Sequence, residues 1–424
     1  MVPRPDSREP GTEGRILLAD ADAFFAAVAR AVDPEGAGKA KYLIVGGTRE
    51  SRGVVCSASY EARQFGVRSA MSIAQALRLC PQAMCVPVPM KACGIKSREI
   101  RAVLARHAPV VEGASIDEWY MDLGGTERYY RNEPLRDTAH RMRSAVLQET
   151  NISLSIGGGA NKLVAKLAAE RAKPKPGTGA DGVHIVPPGT EGEFLKTFTL
   201  AELPMVGPRF QERLKRLGMT TVIDALQYDV ATLQQWLGER AGAWLWNRVR
   251  GIYEAHVEGR SRAKSLSRDG TFPRDINDDA ELERLLLRFV TRAAKDLRGD
   301  AYTARTLTVK IKDYDFKLRS AQATFPSPVV SDRVMLEAGK QLLRKLRKAR
   351  RVPARLLGVA LSGLAADPRA DQLALFDERK SRLVESDKDR GLARAVDKVR
   401  AKYGDKAVVP ASLSRKDSPE TRPA

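Results

Sequence analysis

Apolar and polar positions along this chain change period repeatedly, and each change marks an element. The run Ile16-Leu17-Leu18-Ala19 predicts a buried strand that ends at Asp20-Ala21-Asp22. Side chains alternate along a strand, so Asp20 and Asp22 project to one side. Helical spacing takes over after Phe25 and holds to Ala31, where Asp33-Pro34-Glu35-Gly36 breaks it. Residues 42–47 predict a short buried strand, with 53–58 as its partner. A helix is expected over 71–79, extended chain over 86–89, and another helix over 96–107. Residues 110–123 have the character of a second core strand, with Asp117 and Glu118 set inside it.

The helical period returns over 137–150, and 152–156 alternate as a strand before Gly157-Gly158-Gly159. Those glycines are a weak sign of a phosphate loop, because no Gly-Lys-Ser/Thr follows. Residues 161–173 predict a helix stopped by Pro174. Leu163 and Leu167 mark its apolar side, while Lys162, Lys166 and Lys173 face phosphate or solvent. Lys173-Pro174-Lys175-Pro176-Gly177 reads as a domain boundary. Over 203–218 an apolar helix end, a tight Val206-Gly207-Pro208 turn and a basic helix opening at Arg209 form a helix-hairpin-helix. Such a turn can hold a DNA phosphate on backbone N–H groups, although an ordinary αα-turn has the same outline.

After a basic tether over 259–264 a further domain is expected, with a helix over 281–297. Residues 305–312 alternate, with Leu307, Val309 and Ile311 on one face and Thr306, Thr308, Lys310 and Lys312 on the other. The alternation resumes over 316–319, a basic helix spans 340–351, and 356–364 supply another strand. These patterns fit a small α+β domain that offers Lys and Thr to a nucleic-acid backbone. From Ala366 the periodicity lapses around Gln372-Leu373-Ala374-Leu375-Phe376, and a short helix is expected over 391–403. The Gln-anchored apolar peptide suits a hydrophobic docking groove, or equally a local packing turn.

Length and composition narrow the function class. At 424 residues the chain needs two to four domains, and 43% hydrophobic content is enough to pack them. No apolar run approaches a membrane span, and the N-terminal residues do not look like a secretory signal. Cys56, Cys80, Cys85 and Cys93 lack zinc-ligand spacing and read as reduced, cytosolic thiols. A net charge of +20 favours a polyanionic partner, with nucleic acid the leading one.

Two carboxylates at the end of an apolar strand resist burial unless a cation joins them. Alone, Asp20-x-Asp22 fits a solvated strand end better than a site; Phe24 and Phe25 weigh against that by walling it. A hairpin beside the first strand would bring Asp117 and Glu118 to Asp20. Three carboxylates and a backbone carbonyl would then make an oxygen donor set for two Mg²⁺ ions, the arrangement that serves in-line phosphoryl displacement. Tyr60 and Arg63 share a helix face and together suit a phosphate oxyanion, though Tyr-x-x-Arg alone is common.

Asp20-Ala21-Asp22-Ala23-Phe24-Phe25, Ser59-Tyr60-Glu61-Ala62-Arg63, Ser115-Ile116-Asp117-Glu118, Ala172-Lys173-Pro174 and the hairpin together resemble the Y-family DNA polymerases, most closely the bacterial DNA polymerase IV group. The resemblance runs from about Ile16 to Phe376. It implies an α+β multidomain right-hand polymerase. Palm would take 14–24 and 86–178, fingers 25–85, thumb 179–255, a linker 256–265, little finger 266–366 and a tail 367–424. It implies that Asp20, Asp117, Glu118 and the Ala21 carbonyl bind two Mg²⁺ ions, with Asp22 in support. Tyr60, Arg63 and Lys173 would hold the triphosphate beside Phe24 and Phe25, Phe25 as the steric gate against a ribose 2′-OH. Val206, Gly207, Arg209, Lys310 and Lys312 would meet primer–template DNA, and Gln372, Leu373, Leu375 and Phe376 would dock on a sliding clamp. The activity implied is low-fidelity synthesis past damaged bases from dNTPs, without proofreading, by a cytoplasmic monomer that binds no membrane.

Val54, Cys56 and Ala58 place small residues where the family contacts the nascent pair. Three positions depart from the family pattern. Trp119 stands for an alanine and would add bulk near the carboxylates, Cys93 stands for an aromatic, and Asp269 for a glutamate. The rival readings are a non-catalytic, clamp-docked accessory protein of mutagenesis and a two-metal nuclease.

Overall fold

The apolar strand 16–21 becomes the centre of a five-stranded sheet because both of its faces are covered. The computed structural model describes residues 14–174, 179–259, 262–366 and 384–410. They fall into two compact units, divided along the chain between residues 261 and 262.

In the first unit the sheet order is Val110–Gly113, Glu118–Asp122, Ile16–Ala21, Leu154–Gly159 and Val183–Ile185. The expected strand over 110–123 is two strands. Gly113 and Ser115 turn the chain back, so Asp117 lies at the hairpin tip and Glu118 opens the returning strand. Val183–Ile185 pairs parallel to Leu154–Gly159, which carries this sheet past the expected palm limit at 178.

The two sheet faces differ. Leu17, Ala19, Trp119, Met121, Leu154 and Ile156 form one core with the helices Met90–Leu104 and Leu135–Thr150. Ile16, Leu18 and Tyr120 face Ala165 and Ala169 of the helix Lys162–Ala172. The same helix turns Leu163 and Leu167 into a third core, shared with five short helices between Glu191 and Val249. It is therefore fixed on two sides.

The triple glycine is strand, not loop. A Cβ at Gly157 would lie 2.0 Å from the Ala169 nitrogen, so its absence lets the helix Lys162–Ala172 close onto the sheet.

A smaller three-stranded sheet sets Leu43–Val45 between Ser57–Ala58 and Met84–Val86. Only the end of the expected strand over 53–58 pairs there, since Val54 bridges Ser72 instead. Of the three small residues, Val54 and Cys56 are exposed, whereas Ala58 is buried in a local core.

The second unit orders as strand, helix, two strands, helix, strand. Its sheet runs Leu318–Val329, Tyr302–Asp313, Ala354–Ser362 and Ser265–Ile276, all antiparallel, with the helices Asp279–Gly299 and Asp332–Ala349 packed on the core formed by Leu307, Val309 and Ile311. The alternation over 305–312 is as the sequence predicts. The strand Ser265–Ile276 has no sequence counterpart, because Arg268, Asp269, Arg274 and Asp275 break its apolar pattern. Residues 256–258, expected to be linker, are tied into the first unit. Val257 is buried, the Glu258 N–H donates to Glu112 at 2.8 Å, and Lys162 donates to the His256 carbonyl.

The expected tail also contains a docked helix, Asp387–Tyr403. Arg298 holds it, with Nε 2.6 Å from Asp397 and Nη1 2.7 Å from both Asp332 and the Val330 carbonyl. The Arg298 side chain is only 7% exposed, so Arg298→Met leaves Asp397 and Asp332 without their shared cation. The expected cost is about 3–5 kcal/mol in denaturant unfolding, with faster hydrogen exchange concentrated in 387–403.

Candidate active site

Register alone brings the acidic centre together. Asp20 and Glu118 are direct cross-strand partners, and the Ala21 N–H donates to the Asp117 carbonyl at 2.9 Å. Asp20 alternates with Ile16 and Leu18, so it points to the face covered by the helix Lys162–Ala172. Asp117 is half-buried at the tip, where it accepts from the Ser115 hydroxyl. The bond from the Ala21 N–H sets its peptide against the hairpin tip.

Each of the three lysines is bonded to a carboxylate, and Lys166 and Lys173 keep partial access to solvent. Lys162 donates to both Glu112 oxygens at 2.7 and 2.8 Å, and Lys166 to both Glu118 oxygens at 2.8 and 2.9 Å. Lys173 lies 2.9 Å from Asp20 and 2.7 Å from Glu170. Their helix face was legible, but not the carboxylates opposite it. Among the described residues no three acidic, imidazole or thiol groups form a ready metal cluster, since lysine nitrogens take the Asp20 and Glu118 oxygens. The donor chemistry still fits a hard cation: every candidate ligand is an oxygen, and two sit on adjacent, buried strands.

Burial raises the Asp20 carboxyl to about 6, with Lys173 pulling it down and Glu118 pushing it up. Burial works against the Lys173 ammonium, but Asp20 and Glu170 outweigh it and raise its pKa. The folded chain thus holds the Asp20 proton more tightly than the unfolded chain does. This contribution is fully present below pH 3.8 and is lost as pH rises through about 6. With a chelator present, the stability of Asp20→Asn relative to the wild type should therefore rise between pH 4 and pH 7, from a starting level lowered by loss of the Lys173 ion pair. The rise reaches at most about 3 kcal/mol, read from urea unfolding at each pH.

Asp22 takes another role. Its oxygens accept from Ser153 and Ser155, each at 2.7 Å, which ties it to the neighbouring strand. Ala23 then adopts φ 46° and ψ 42°, a left-handed turn that costs a non-glycine residue roughly 1 kcal/mol. The helix Phe24–Val32 starts there. Phe24 is buried in the sheet core and cannot wall a nucleotide pocket; Phe25 is only half-buried. The rings meet edge-on at 5.6 Å.

Ser59 caps the short helix Tyr60–Gln64 by accepting from the Ala62 N–H. Arg63 stacks its guanidinium 5.1 Å from the Tyr60 ring centre while Nε donates to the Ala58 carbonyl. Burial pushes the Tyr60 phenol up, Asp22 adds to this, and Arg63 and Lys173 oppose it. Tyr60, Arg63 and Lys173 therefore lie within electrostatic reach of one another and of the acidic centre.

Trp119 lies on the other sheet face from Glu118, buried against Ala19, so its bulk is in the core and away from the carboxylates. Cys93 is likewise core, inside the helix Met90–Leu104.

Farther along, the first element of the expected hairpin is a single 3-10 turn, Leu200–Glu202. Gly207 caps the helix Pro208–Arg216, and Gly207, Pro208 and Arg209 are exposed. Val206 is buried and its carbonyl accepts from Gln211, so it has no side chain to offer DNA.

In the second unit Lys310 is paired with Asp269, the residue standing for the family's glutamate. Lys312 is half-exposed on the same sheet face. The basic helix is also more paired than its sequence implied. Arg347 is buried against Asp279, and Arg344 bonds Glu283. The peptide Gln372–Phe376 lies outside the described residues.

Comparison with known proteins agrees with this geometry. A family model described as the impB/mucB/samB family matches residues 19–170, and that family's C-terminal domain matches 263–375. A third, described as the DNA polymerase-iota thumb domain, matches 201–252. The chain is 36% identical to the DNA polymerase IV of Halorhodospira halophila over 85% of its own length and 98% of that protein. A solved Y-family DNA polymerase chimera, Dbh-Dpo4(243-245)-Dbh, aligns with a TM-score of 0.71 at 26% identity, over 82% of this chain and 99% of the other. An insertion ternary complex of Dbh DNA polymerase aligns over 82% of this chain and 98% of the other, with a TM-score of 0.58 at 26% identity. The acidic centre and these likenesses agree: the chain belongs to the Y-family DNA polymerases, in the DNA polymerase IV group.

Proposed function

We propose that this chain adds deoxynucleotides to a primer 3′ end through Asp20, Asp117 and Glu118. DNA-directed DNA polymerisation is its family's activity, and the chain is a translesion DNA polymerase acting on DNA and dNTPs in a metal-dependent reaction. The observation that carries the assignment of residues is the pairing of Asp20 with Glu118 across two buried strands, with Asp117 bonded to the next peptide.

Asp20, Asp117, Glu118 and the Ala21 carbonyl are the groups that would hold two Mg²⁺ ions, which when bound stabilise charge on the attacking and leaving oxygens. Arg63 and Tyr60 offer a guanidinium and a phenol to the triphosphate, and Lys173 adds an ammonium at the same site. The half-buried Phe25 ring occupies the place of a ribose 2′-OH and so favours deoxynucleotides. Gly207 and Arg209 at the exposed helix start hold a DNA phosphate, while Lys312, and Lys310 when exchanged from Asp269, track the duplex backbone. The domain plan follows the palm, fingers, thumb and little-finger order, with the linker narrowed to 259–264.

Gln372, Leu373, Leu375 and Phe376 are proposed to dock on a sliding clamp, and the enzyme to act as a cytoplasmic monomer without proofreading. Among the described residues no helix is long and apolar enough to cross a membrane. The accessory-protein reading leaves the paired carboxylates and the Tyr60, Arg63 and Lys173 trio without a use.

Primer extension with Mg²⁺ and dNTPs, on undamaged and abasic templates, tests the reading. Distributive extension that continues past the abasic site is expected. A folded chain that binds DNA and extends neither template would move the accessory reading to first place.

A further inference from the structure

Two serines that the chemistry above does not use stand beneath the turn joining the acidic centre to the helix Phe24–Val32. Ser153 and Ser155 are two residues apart at the start of a strand, so their hydroxyls reach the same side. Ser153 Oγ donates to Asp22 Oδ2 and Ser155 Oγ to Asp22 Oδ1, both at 2.7 Å. The Asp22 N–H donates in turn to the Ser153 carbonyl at 3.0 Å. Ser155 is fully buried, and Arg143 fixes the same strand through the Leu154 carbonyl at 2.8 Å. Asp22 is therefore gripped at both oxygens and its backbone.

What this grip holds is the strained residue. A left-handed alanine persists when its surroundings over-determine it, and Ala23 directly follows Asp22. The Ala23 carbonyl then accepts from the Ala26 and Ala27 N–H groups at 2.8 and 3.0 Å, so the turn sets the first bonds of the helix. Phe24 is locked in the core, and Phe25 leaves the helix one residue later. The Asp22–Ala23 turn therefore sets the backbone direction from which the Phe25 ring projects, while Phe24 and the neighbouring apolar cores support the ring itself.

We propose that Ser153 and Ser155 are positioning residues for sugar selection: by clamping Asp22 they hold the Ala23 turn and fix where the Phe25 ring meets the sugar of the incoming nucleotide. The inference rests on the reading of Phe25 as the gate. Without the clamp the turn can relax and the ring can yield to a 2′-OH, while Asp20 and Glu118 keep their strand pairing and Asp117 its bond from the Ala21 N–H.

The test compares Ser153→Ala/Ser155→Ala, Ser153→Ala, Ser153→Thr and Phe25→Ala by single-turnover insertion of dNTP and of the matching rNTP. The double variant should lose about tenfold in the dNTP-to-rNTP ratio of kcat/KM, by gaining rNTP use, with dNTP kcat within about threefold of the wild type. Ser153→Thr, which keeps the hydroxyl, should retain the ratio, and Phe25→Ala should lose more than the double variant. If the double variant melts below the assay temperature, the half-exposed Ser153→Ala carries the same comparison with a smaller loss. A ratio unchanged in the serine variants but lost in Phe25→Ala overturns the clamp and leaves the gate standing. So does a fall in dNTP kcat at constant ratio, which is what a merely structural role produces. A ratio unchanged in Phe25→Ala removes the gate and the clamp together.

Discussion

Replacing Asp117 and Glu118 together by alanine should abolish nucleotide addition while leaving primer–template binding intact. The two side chains sit at the tip of one hairpin, and Glu118 lies directly across from Asp20. Their loss leaves Asp20 alone of the three carboxylates in the proposed donor set, and a set of that size cannot hold two divalent ions. The single-turnover insertion rate should fall by about a thousandfold or more, equivalent to roughly 4 kcal/mol of barrier. The fold should survive. Glu118 is half-buried, and the Lys166 it releases has 29% of its side chain exposed, enough to reach water. Circular dichroism and DNA affinity close to wild type, beside the lost rate, would separate lost chemistry from lost structure.

Trp119→Ala should have a large effect on stability and little on chemistry. Trp119 is 1% exposed and fills the core between the sheet and the helices Met90–Leu104 and Leu135–Thr150. Truncating a fully buried tryptophan costs about 3–5 kcal/mol, read from the urea midpoint. Because the ring lies on the opposite sheet face from Glu118, insertion opposite normal and abasic template positions should stay near wild type below the melting range. A change in lesion preference with no change in stability would place the ring beside the carboxylates instead.

That contrast shows what the amino-acid pattern could carry. Asp20, Asp117 and Glu118 were legible together, through the hairpin expected beside the first strand and the family resemblance, because the Asp20-x-Asp22 strand end alone reads better as solvated. The face of Trp119 was not, because the apolar run over 110–123 hides the turn at 113–117 that decides it. The lysine side of the helix Lys162–Ala172 was visible from its period, but its partners lie 48 to 50 residues upstream for Lys166 and Lys162. Periodicity holds no information at that range. The alternation of Leu307, Val309 and Ile311 predicted their strand correctly, whereas Ser265–Ile276, exposed and charged along much of its length, carried no such signal. The helix Asp387–Tyr403 was half-seen: its period was readable, but its docking depends on Arg298, far away in the chain. Gly157 looked like a loop residue because close packing and loop flexibility call for the same residue.

The central claim is that the paired carboxylates hold two divalent ions where the nucleotide reacts. Its most direct measurement counts Mn²⁺ bound to the full chain by electron paramagnetic resonance, with primer–template DNA and a non-hydrolysable dNTP analogue. Two ions per chain are expected for the wild type and at most one for Asp20→Asn. Equal counts in the two proteins would contradict the account, because the metals would then be held somewhere other than the strand end at Asp20.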